Sequence, residues 1–375
     1  MFSRLMSISI ICLMKLKISI ISKMHHYTLE PSKAPFSKPD GSFENPIYYP
    51  NLTHIATIAN DSKAHLRDPS TPIFDPKDSL WHFWASRIPV KEGSDGYPGR
   101  IYHYYSPSLN STFKTSGIAI DVSPNPGNFD SYGTFTPSAF LDKSDGRWTI
   151  FYGGVANSSQ NHTEDIGIAI STNGAFGPFI KSSLNPVITW NDFTWCSQSN
   201  ARQLGKSSTP ARVDEAEPYI LNGQRVILVK TVCQNFTALP MMFASSSNDH
   251  FKPPFKLISD VPIINARVTA KQKGFEQARI YPGPDGYLHL TGRDHGDSRN
   301  PHFINTNRKS TFTTSWSFVG YLDNFGMPPI QEPNIVSPIN SVPGDDYKHG
   351  IPSFFVGFSG NPFHIDLYKN IWKKF

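Results

Sequence analysis

Three residues that are each followed by a proline stand out as candidates for chemistry: Asp68, Thr136 and Glu217. Proline holds the residue before it in an extended conformation, so a short side chain there can project from the start of a strand. Two carboxylates that face each other across a sugar-sized pocket can hydrolyse a glycosidic bond, because one protonates the leaving oxygen while the other activates water or attacks the sugar. Asp68 and Glu217 would form such a pair if the fold brings them together. For either residue alone, the competing interpretation is a solvated turn position.

The elements that would position these residues are predicted from a repeated hairpin pattern. Five segments each combine an apolar strand, a turn that contains Asp, Asn or Gly, and an alternating strand rich in aromatic residues: 72–86, 138–154, 217–231, 278–293 and 352–368. Three of the turns contain the Asp-Gly or Asn-Gly dipeptides that two-residue hairpins prefer, at 145–146, 222–223 and 285–286. The pattern predicts five β-hairpins.

The spacing of the hairpins indicates the fold. With one marker residue after each turn (81, 148, 226, 287 and 361), successive repeats are 67, 78, 61 and 74 residues apart, which is enough for a four-stranded sheet with its loops. We therefore predict an all-β fold, a five-bladed β-propeller, in which 166–172 and 240–246 are third strands of their blades. An array of β-sandwiches is the alternative, but it needs shorter spacing.

The two ends of the chain are assigned by composition. Residues 1–23 are interpreted as a signal or anchor segment, the polar and proline-rich residues 24–60 as an N-terminal extension, and residues 61–375 as the propeller, the catalytic domain. The aromatic C-terminal segment 366–375 could in addition close the ring by completing a blade with an N-terminal strand.

The propeller prediction defines where a site should be sought. The strand nearest the axis begins on the same face in every blade, so the residues just before each hairpin converge on one central pocket. These residues fall at 65–69, 135–137, 215–218, 276–279 and 348–350. They include Asp68, Thr136 and Glu217, and recurrence at corresponding positions favours a shared site over three unrelated turns.

Four of these segments are similar, in order, to motifs of known propeller glycosidases. They read RDPSTPIFD from residue 67, TPSAFLDKSDGRWTIFYGG from residue 136, EPYILNGQRVILV from residue 217 and KHGIPSFF from residue 348. Over residues 60–370 the chain thus resembles glycoside hydrolase family 43 and its relatives, the arabinofuranosidases, arabinanases and β-xylosidases. Each motif is short, whereas the ordered set of four is more specific.

The resemblance implies roles for individual residues. Asp68 would be the general base that activates water, Glu217 the general acid, and His349 the central histidine near an axial ion or water, which is often calcium in that family. Thr136 occupies the place of the family's third carboxylate, whose charge raises the pKa of the acid and orients it. The nearest acidic groups that could replace it, or else be ordinary loop charges, are Asp130, Asp214 and Glu215.

The sequence therefore predicts a glycoside hydrolase that releases a pentose, arabinofuranose or xylose, by single displacement with inversion. Because of Thr136, a catalytically inactive carbohydrate-binding propeller is the main alternative, and an interaction scaffold without a sugar site is a third. The residues expected to bind the substrate are Arg67, Thr136, Trp84, Arg293 and His349. The competing interpretation is packing between blades for the tryptophan and a structural ion pair for either arginine.

Composition and charge exclude several other classes. Charged residues make up 17% of the 375 residues and prolines number 32, unlike disordered or coiled-coil chains. The net charge of +5 is dispersed without a run of five basic residues, so we expect no nucleic-acid partner. We expect that no cofactor is required, and a structural Ca²⁺ near His349 is an alternative. His289 and His295 are a weak zinc signal, because the sequence offers no third ligand for them. We expect a monomer whose partner is an oligosaccharide or polysaccharide.

The N-terminal segment and the sequons bear on the compartment. Residues 8–14 resemble a secretory apolar region, but Lys15 and Lys17 interrupt it, so no stable membrane span is expected. Glycosylation sequons occur at Asn51, Asn60, Asn110, Asn157, Asn161 and Asn235. These features predict a secreted glycoprotein, with a cytosolic protein rich in Ser and Asn as the alternative. If the segment with Cys12 is removed, Cys196 and Cys233 could form a disulfide.

Overall fold

The computed structural model describes residues 48–92, 98–157, 164–193, 212–221, 223–232, 238–259, 262–264, 275–294, 299–305, 316–322, 331–336, 351–358 and 363–374. These residues form five antiparallel sheets, which are arranged as the blades of a five-bladed β-propeller. The predicted all-β fold is therefore confirmed. In the described residues, no helix is long and apolar enough to cross a membrane.

The first three blades follow one another along the chain. Strand β1 (Tyr48–Asn60) precedes them, and the first blade contains β2 (Ala64–Arg67), β3 (Ile73–Asp75), β4 (Leu80–Pro89), β5 (Arg100–Ser106) and β6 (Lys114–Ile120). The second blade contains β7 (Gly133–Asp142), β8 (Arg147–Val155), β9 (Glu164–Ser171) and β10 (Ile180–Lys181). The third contains β11 (Arg212–Leu221), β12 (Gln224–Val232), β13 (Ala238–Ala244) and β14 (Lys256–Leu257). Short 3₁₀ turns lie at Val90–Glu92 and Trp190–Asp192.

The last two blades contain the remaining strands. The fourth blade contains β15 (Phe275–Pro282), β16 (Leu288–Asp294), β17 (Pro301–Asn305) and β18 (Trp316–Tyr321). The fifth contains β19 (Gln331–Val336), β20 (Phe354–Phe358) and β21 (His364–Lys374), and its fourth strand is β1. All five predicted hairpins are present, and the predicted third strands correspond to β9 and β13.

The ring is closed by strands from the two ends of the described chain. Strand β1 pairs antiparallel with β21, from Tyr48 opposite Lys374 to Asn60 opposite His364, which confirms the closure hypothesis. The predicted propeller boundary at residue 61 is wrong, because the strand at 48–60 completes the fifth blade. Pairing the two ends in one sheet also covers the edge that β21 would otherwise expose.

The fifth hairpin is out of phase with the other four. In the first four blades the predicted hairpin joins the innermost strand to the second strand, whereas hairpin 352–368 joins β20 to β21, the second and third strands of the fifth blade. The innermost strand there is β19 (Gln331–Val336). The fifth hairpin therefore does not begin with an innermost strand, contrary to the prediction, and residues 348–350 lie outside the described residues.

An irregularity interrupts the innermost strand of every blade. Pairing skips two residues in β7, β11, β15 and β19, between Phe135 and Ser138, Asp214 and Glu217, Glu276 and Arg279, and Gln331 and Asn334. In the first blade, residues 68–72 separate β2 from β3, although both strands pair with β4. A bulge bends a strand and redirects its side chains, so these positions determine what faces the axis.

Candidate active site

Four residues at these bulges have a backbone conformation that non-glycine residues rarely adopt. The φ angles are 50° at Asp68, 44° at Thr136, 53° at Glu215 and 54° at Gln277. The extended conformation predicted for Asp68 and Thr136 from the proline that follows each is therefore wrong. Each of the four is the first residue after regular pairing ends, in the first, second, third and fourth blade respectively. Such conformations cost on the order of 1–3 kcal/mol each and cluster at ligand sites.

The same four residues line one pocket. Its remaining lining residues are Pro69, Pro137, Ala216 and Arg279. The structure thus confirms that segments from different blades converge on one pocket.

Asp68 lies in the pocket in a half-exposed position. Its Oδ2 accepts a hydrogen bond from Ser86 Oγ at 3.3 Å, and its Oδ1 accepts one from Gln277 Nε2 at 3.1 Å. Ser86 Oγ in turn accepts from the backbone N–H of Thr136 at 2.9 Å. Hydrogen-bond donors on both oxygens therefore hold the Asp68 carboxylate in place at the pocket.

Glu215 is the second carboxylate of the pocket and is buried, with 8% of its surface exposed. Its Oε1 lies 2.5 Å from Lys230 Nζ, and its Oε2 accepts a hydrogen bond from the backbone N–H of Gln277 at 2.6 Å. Burial raises the pKa of Glu215, and the charges of Glu276 and Asp68 act in the same direction, whereas Lys230 opposes them. A buried carboxyl with a raised pKa can hold a proton for donation.

Two polar atoms of the pocket residues have no hydrogen-bond partner among the described residues. They are Thr136 Oγ1 and Gln277 Oε1, both buried. Leaving a buried polar atom unsatisfied costs about 1–3 kcal/mol, and most such atoms in proteins have a partner. A ligand rich in hydroxyl groups would satisfy both.

The structure places Glu217 outside the pocket lining. Its carboxylate is 1% exposed, accepts a hydrogen bond from Ser138 Oγ and lies 3.5 Å from Arg279 Nε. Burial raises the pKa of Glu217, while Arg279 and Ser138 lower it. Residues two apart share a face in a regular strand, but the bulge between Asp214 and Glu217 breaks this alternation. Sequence reasoning considered Glu215 only as a substitute for the third carboxylate, because the proline criterion selected Glu217.

Other predicted substrate-binding residues lie around the pocket. Arg67 is half-buried and outside the lining, and Arg293 Nη1 lies 3.5 Å from Glu276 Oε1, behind the pocket. The prediction for Trp84 is wrong, because its ring is fully buried between blades, 5.1 Å from that of Trp148, and cannot stack on a sugar. His349 lies outside the described residues.

Asp130, one of the acidic groups considered as a substitute for the third carboxylate, lies elsewhere in the second blade. Its Oδ2 is 2.6 Å from Lys181 Nζ and accepts a hydrogen bond from Tyr152 Oη at 3.0 Å. Asp214, another of the three candidates, lies 3.1 Å from Lys230 Nζ. Asp214 is therefore close to the pocket, Glu215 is itself a pocket carboxylate, and Asp130 is paired elsewhere.

One group of described residues brings several metal-ligand atoms together. Asp75, Asp78 and His82 place one ligand atom each within 4.8 Å of one another. Trp148 Nε1 donates to Asp75 at 3.2 Å, and His82 contacts Asp78 through Nε2 at 3.2 Å. These protein contacts explain the group without an ion. The predicted pair of His289 and His295 is not tested, since His295 lies outside the described residues.

Comparison with known proteins shows similarity in structure alone. No protein-family model and no curated protein matches the chain. A family 117 glycoside hydrolase of the marine bacterium Zobellia galactanivorans is similar with a TM-score of 0.62 and 13% identity, over 87% of this chain and 92% of that one. An endo-arabinase of Bacteroides thetaiotaomicron has a TM-score of 0.54 and 13% identity, over 85% and 97%. A β-fructofuranosidase of Schwanniomyces occidentalis has a TM-score of 0.54 and 16% identity, over 84% and 58%. At these identities the similarity establishes the fold.

Proposed function

We propose that the protein is a glycoside hydrolase and that the pocket between Asp68 and Glu215 is its active site. The observation that carries the proposal is the convergence of four strained non-glycine residues from four blades on one pocket, two of them carboxylates with different surroundings. The neighbours, described as a glycoside hydrolase, an endo-arabinase and a β-fructofuranosidase, support a saccharide substrate.

The surroundings of the two carboxylates suggest their roles. Asp68 is the more exposed of the two, so solvent water can reach it, which suits a general base. Glu215 is buried and has a raised pKa, which suits a general acid. We therefore assign the acid to Glu215 rather than to Glu217.

The reaction follows from these roles. Asp68 removes a proton from a water molecule whose oxygen attacks the anomeric carbon. Glu215 donates its proton to the glycosidic oxygen as the bond to the anomeric carbon breaks. The products are a free sugar of inverted anomeric configuration and the leaving alcohol, and the two carboxyl groups are restored when Asp68 releases its proton and Glu215 regains one.

Gln277 contacts both carboxyl groups. Its side-chain Nε2 donates to Asp68 and its backbone N–H donates to Glu215. We propose inversion, in which the base activates a water molecule; this mechanism requires the two carboxyl groups to lie about 6.5–9.5 Å apart.

The pocket also supports a hydroxylated substrate unit. Thr136 Oγ1 and Gln277 Oε1 are buried and have no hydrogen-bond partner among the described residues. We propose that this unit is a pentose, arabinofuranose or xylose, at the end of an oligosaccharide.

The proposal is tested by a substrate screen of the full chain. The panel contains nitrophenyl α-L-arabinofuranoside, β-D-xyloside, β-D-galactoside and β-fructoside, together with arabinan, xylan and galactan oligomers. We expect hydrolysis of a pentoside, with the inverted anomer appearing first in the ¹H NMR spectrum. First appearance of the retained anomer would contradict inversion, and a galactoside or fructoside preference would contradict the pentose.

A carbohydrate-binding propeller without activity is the second candidate. It is favoured by Thr136, which occupies in the second blade the place that corresponds to Asp68 in the first and Glu215 in the third, but which carries no charge. Calorimetric titration with the same oligomers would show binding without cleavage. If the wild-type protein hydrolyses none of the oligomers and the T136D variant does, the protein is an enzyme that has lost its activity.

We also propose that the protein is secreted and glycosylated. Asn60, Asn110 and Asn157, which begin three of the sequons, are exposed. Expression in a eukaryotic secretory host should give a protein whose mass falls on treatment with peptide N-glycosidase. An unchanged mass would contradict the proposal.

A further inference from the structure

Behind the pocket, three carboxylates surround one buried ammonium group. Lys230 Nζ lies 2.5 Å from Glu215 Oε1, 3.1 Å from Asp214 Oδ2 and 3.4 Å from Glu276 Oε2. The exposed fraction of each of the four side chains is 12% or less. Lys230 belongs to β12 of the third blade and Glu276 to β15 of the fourth, so the cluster joins two blades.

The fourth blade fixes Glu215 from two successive residues. The backbone N–H of Gln277 donates to Glu215 Oε2, while the side chain of the preceding residue, Glu276, shares Lys230 with Glu215 Oε1. Both oxygens of Glu215 therefore have defined partners. The orientation of this carboxyl group toward the pocket depends on Lys230 and on the bulge of β15.

A single ammonium can balance only one of the three carboxylates that it contacts. Like charges close together in a buried site oppose ionisation. Burial and the neighbouring Glu276 charge both raise the pKa of Glu215, and Lys230 lowers it. Burial likewise raises the pKa of Asp214.

Other charged groups complete the surroundings of the cluster. Asp68 faces Glu215 across the pocket, and Arg293 Nη1 lies 3.5 Å from Glu276 Oε1. On the side of the second blade, Glu164 neighbours Asp214 and accepts a hydrogen bond from Arg212 Nη1 at 2.8 Å. Arg279, a lining residue, lies against Glu217.

We propose that Glu276 and Lys230 are positioning residues that act through Glu215. Lys230 orients the carboxyl group, and the negative charge of Glu276 helps it to keep the proton that a general acid must donate. The proposal rests on the proposed hydrolase function. The corresponding bulge of the second blade carries Thr136, which has no charge. In this chain, Glu276 of the fourth blade therefore supplies the negative charge next to Glu215.

The pH dependence of kcat/KM tests the two roles. Removing the negative charge of Glu276 and removing the positive charge of Lys230 should shift the pKa of Glu215 in opposite directions. Activity is lost on the alkaline side where the acid ionises. Glu276→Gln should move this alkaline limb to lower pH, with kcat/KM about tenfold below wild type on that side, whereas Glu276→Asp should restore the limb toward wild type. Lys230→Met should move the limb to higher pH and lower kcat, because Glu215 loses both a positive charge and its fixed orientation.

Glu217→Gln is the matched control, since Glu217 is a buried glutamate of the same strand with different partners. Its alkaline limb should coincide with that of wild type. Coincidence of the Glu276→Gln and wild-type limbs, or an equal shift in Glu217→Gln, would overturn the proposal. Far-ultraviolet circular dichroism of each variant shows whether it is folded. If Glu276→Gln is not folded, Lys230→Met provides the test, and an alkaline limb that does not move to higher pH would overturn the proposal.

A titration without substrate separates this inference from the proposed function. In protein labelled with ¹³C at the glutamate carboxyl groups, the Glu215 signal is identified by its loss in Glu215→Gln. Its titration midpoint should be lower in Glu276→Gln than in wild type. A lower midpoint in a protein that hydrolyses nothing would refute the function but retain the charge effect. An unchanged midpoint in an active enzyme would refute the role of Glu276 and leave the function intact.

Discussion

The pocket and the hairpins of the first and fourth blades both contain buried polar side chains, but they satisfy them differently. In the first blade, Asp78 contacts His82 Nε2 at 3.1 Å, and His82 Nδ1 contacts His103 Nε2 at 2.9 Å. In the fourth blade, Asp285 contacts His289 Nε2 at 2.9 Å, and His289 Nδ1 contacts His302 Nε2 at 2.8 Å. Each chain of contacts runs from a hairpin turn through the second strand to the third.

The difference separates structural polar groups from functional ones. Both ring nitrogens of His82 and of His289 have partners in the hairpins. The pocket instead combines positive φ angles with unpartnered atoms of Thr136 and Gln277. A satisfied network stabilises the blade that contains it, whereas a strained and unsatisfied group is stable only if the rest of the fold holds it in place.

The largest expected effect distinguishes two glutamates that are two residues apart. E215Q should lower kcat by about 10²–10⁴-fold, the usual contribution of a general acid, and retain the fold. E217Q should retain turnover but lower the free energy of unfolding by about 3–5 kcal/mol, because it removes the buried carboxylate charge that lies 3.5 Å from Arg279 Nε. Enzyme assays and urea unfolding of both variants check this. Full activity of E215Q would remove it from the mechanism.

The pH dependence of stability should have opposite signs in the two regions. Burial lowers the pKa of His103 to about 3, below its value of about 6.5 in the unfolded chain. The unfolded chain therefore binds more protons, and stability falls as pH drops below 6.5. Glu215 has a raised pKa in the folded state, so the folded state binds more protons than the unfolded chain. Stability therefore falls as pH rises above the pKa that this glutamate has in the unfolded chain.

Two variants separate these contributions. H103F should reduce the loss of stability in acid, by up to about 1.4 kcal/mol per pH unit. E215Q should remove the opposing contribution and make the loss steeper. Urea unfolding at about pH 5, 6 and 7 measures both slopes. Parallel slopes for wild type and H103F would show that His103 does not titrate as its burial implies.

At neutral pH, H103F should affect stability but not catalysis. The substitution leaves His82 Nδ1 buried without its partner, which costs about 1–3 kcal/mol. The kcat should match that of wild type, since the hairpin network lies outside the pocket lining. A large fall in kcat would show that the first-blade hairpin is coupled to the site.

The smallest expected effect comes from Thr136. T136V keeps the shape of the side chain but removes a hydroxyl that has no hydrogen-bond partner in the described part of the chain. KM should rise several-fold, corresponding to about 1 kcal/mol for one hydrogen bond to substrate, while the free energy of unfolding stays within about 0.5 kcal/mol. A clear loss of stability with unchanged KM would assign the hydroxyl to the fold instead.

Much of the fold could be predicted because turn dipeptides and alternating strands are local signals. The hairpins at 138–154 and 278–293 follow directly from them. The phase of the fifth blade could not be predicted, because a blade's innermost strand is defined by its neighbours in the ring. Closure by an N-terminal strand was predicted, but the position of β1 at 48–60 was not, because its partner, β21, lies at the other end of the described chain.

The sequence by itself determined the five repeats and singled out Asp68 and Thr136, since a proline follows each. Only the tertiary structure decided that both have a positive φ angle and that Glu215 rather than Glu217 enters the pocket. It also decided which residues of the predicted segment 276–279 act there: Gln277 contacts Glu215, and Glu276 shares Lys230 with it. The physical reason is the bulge. It leaves two residues out of the pairing, and which side chain then faces the axis depends on register between strands and on contacts between blades, neither of which is encoded in a local pattern.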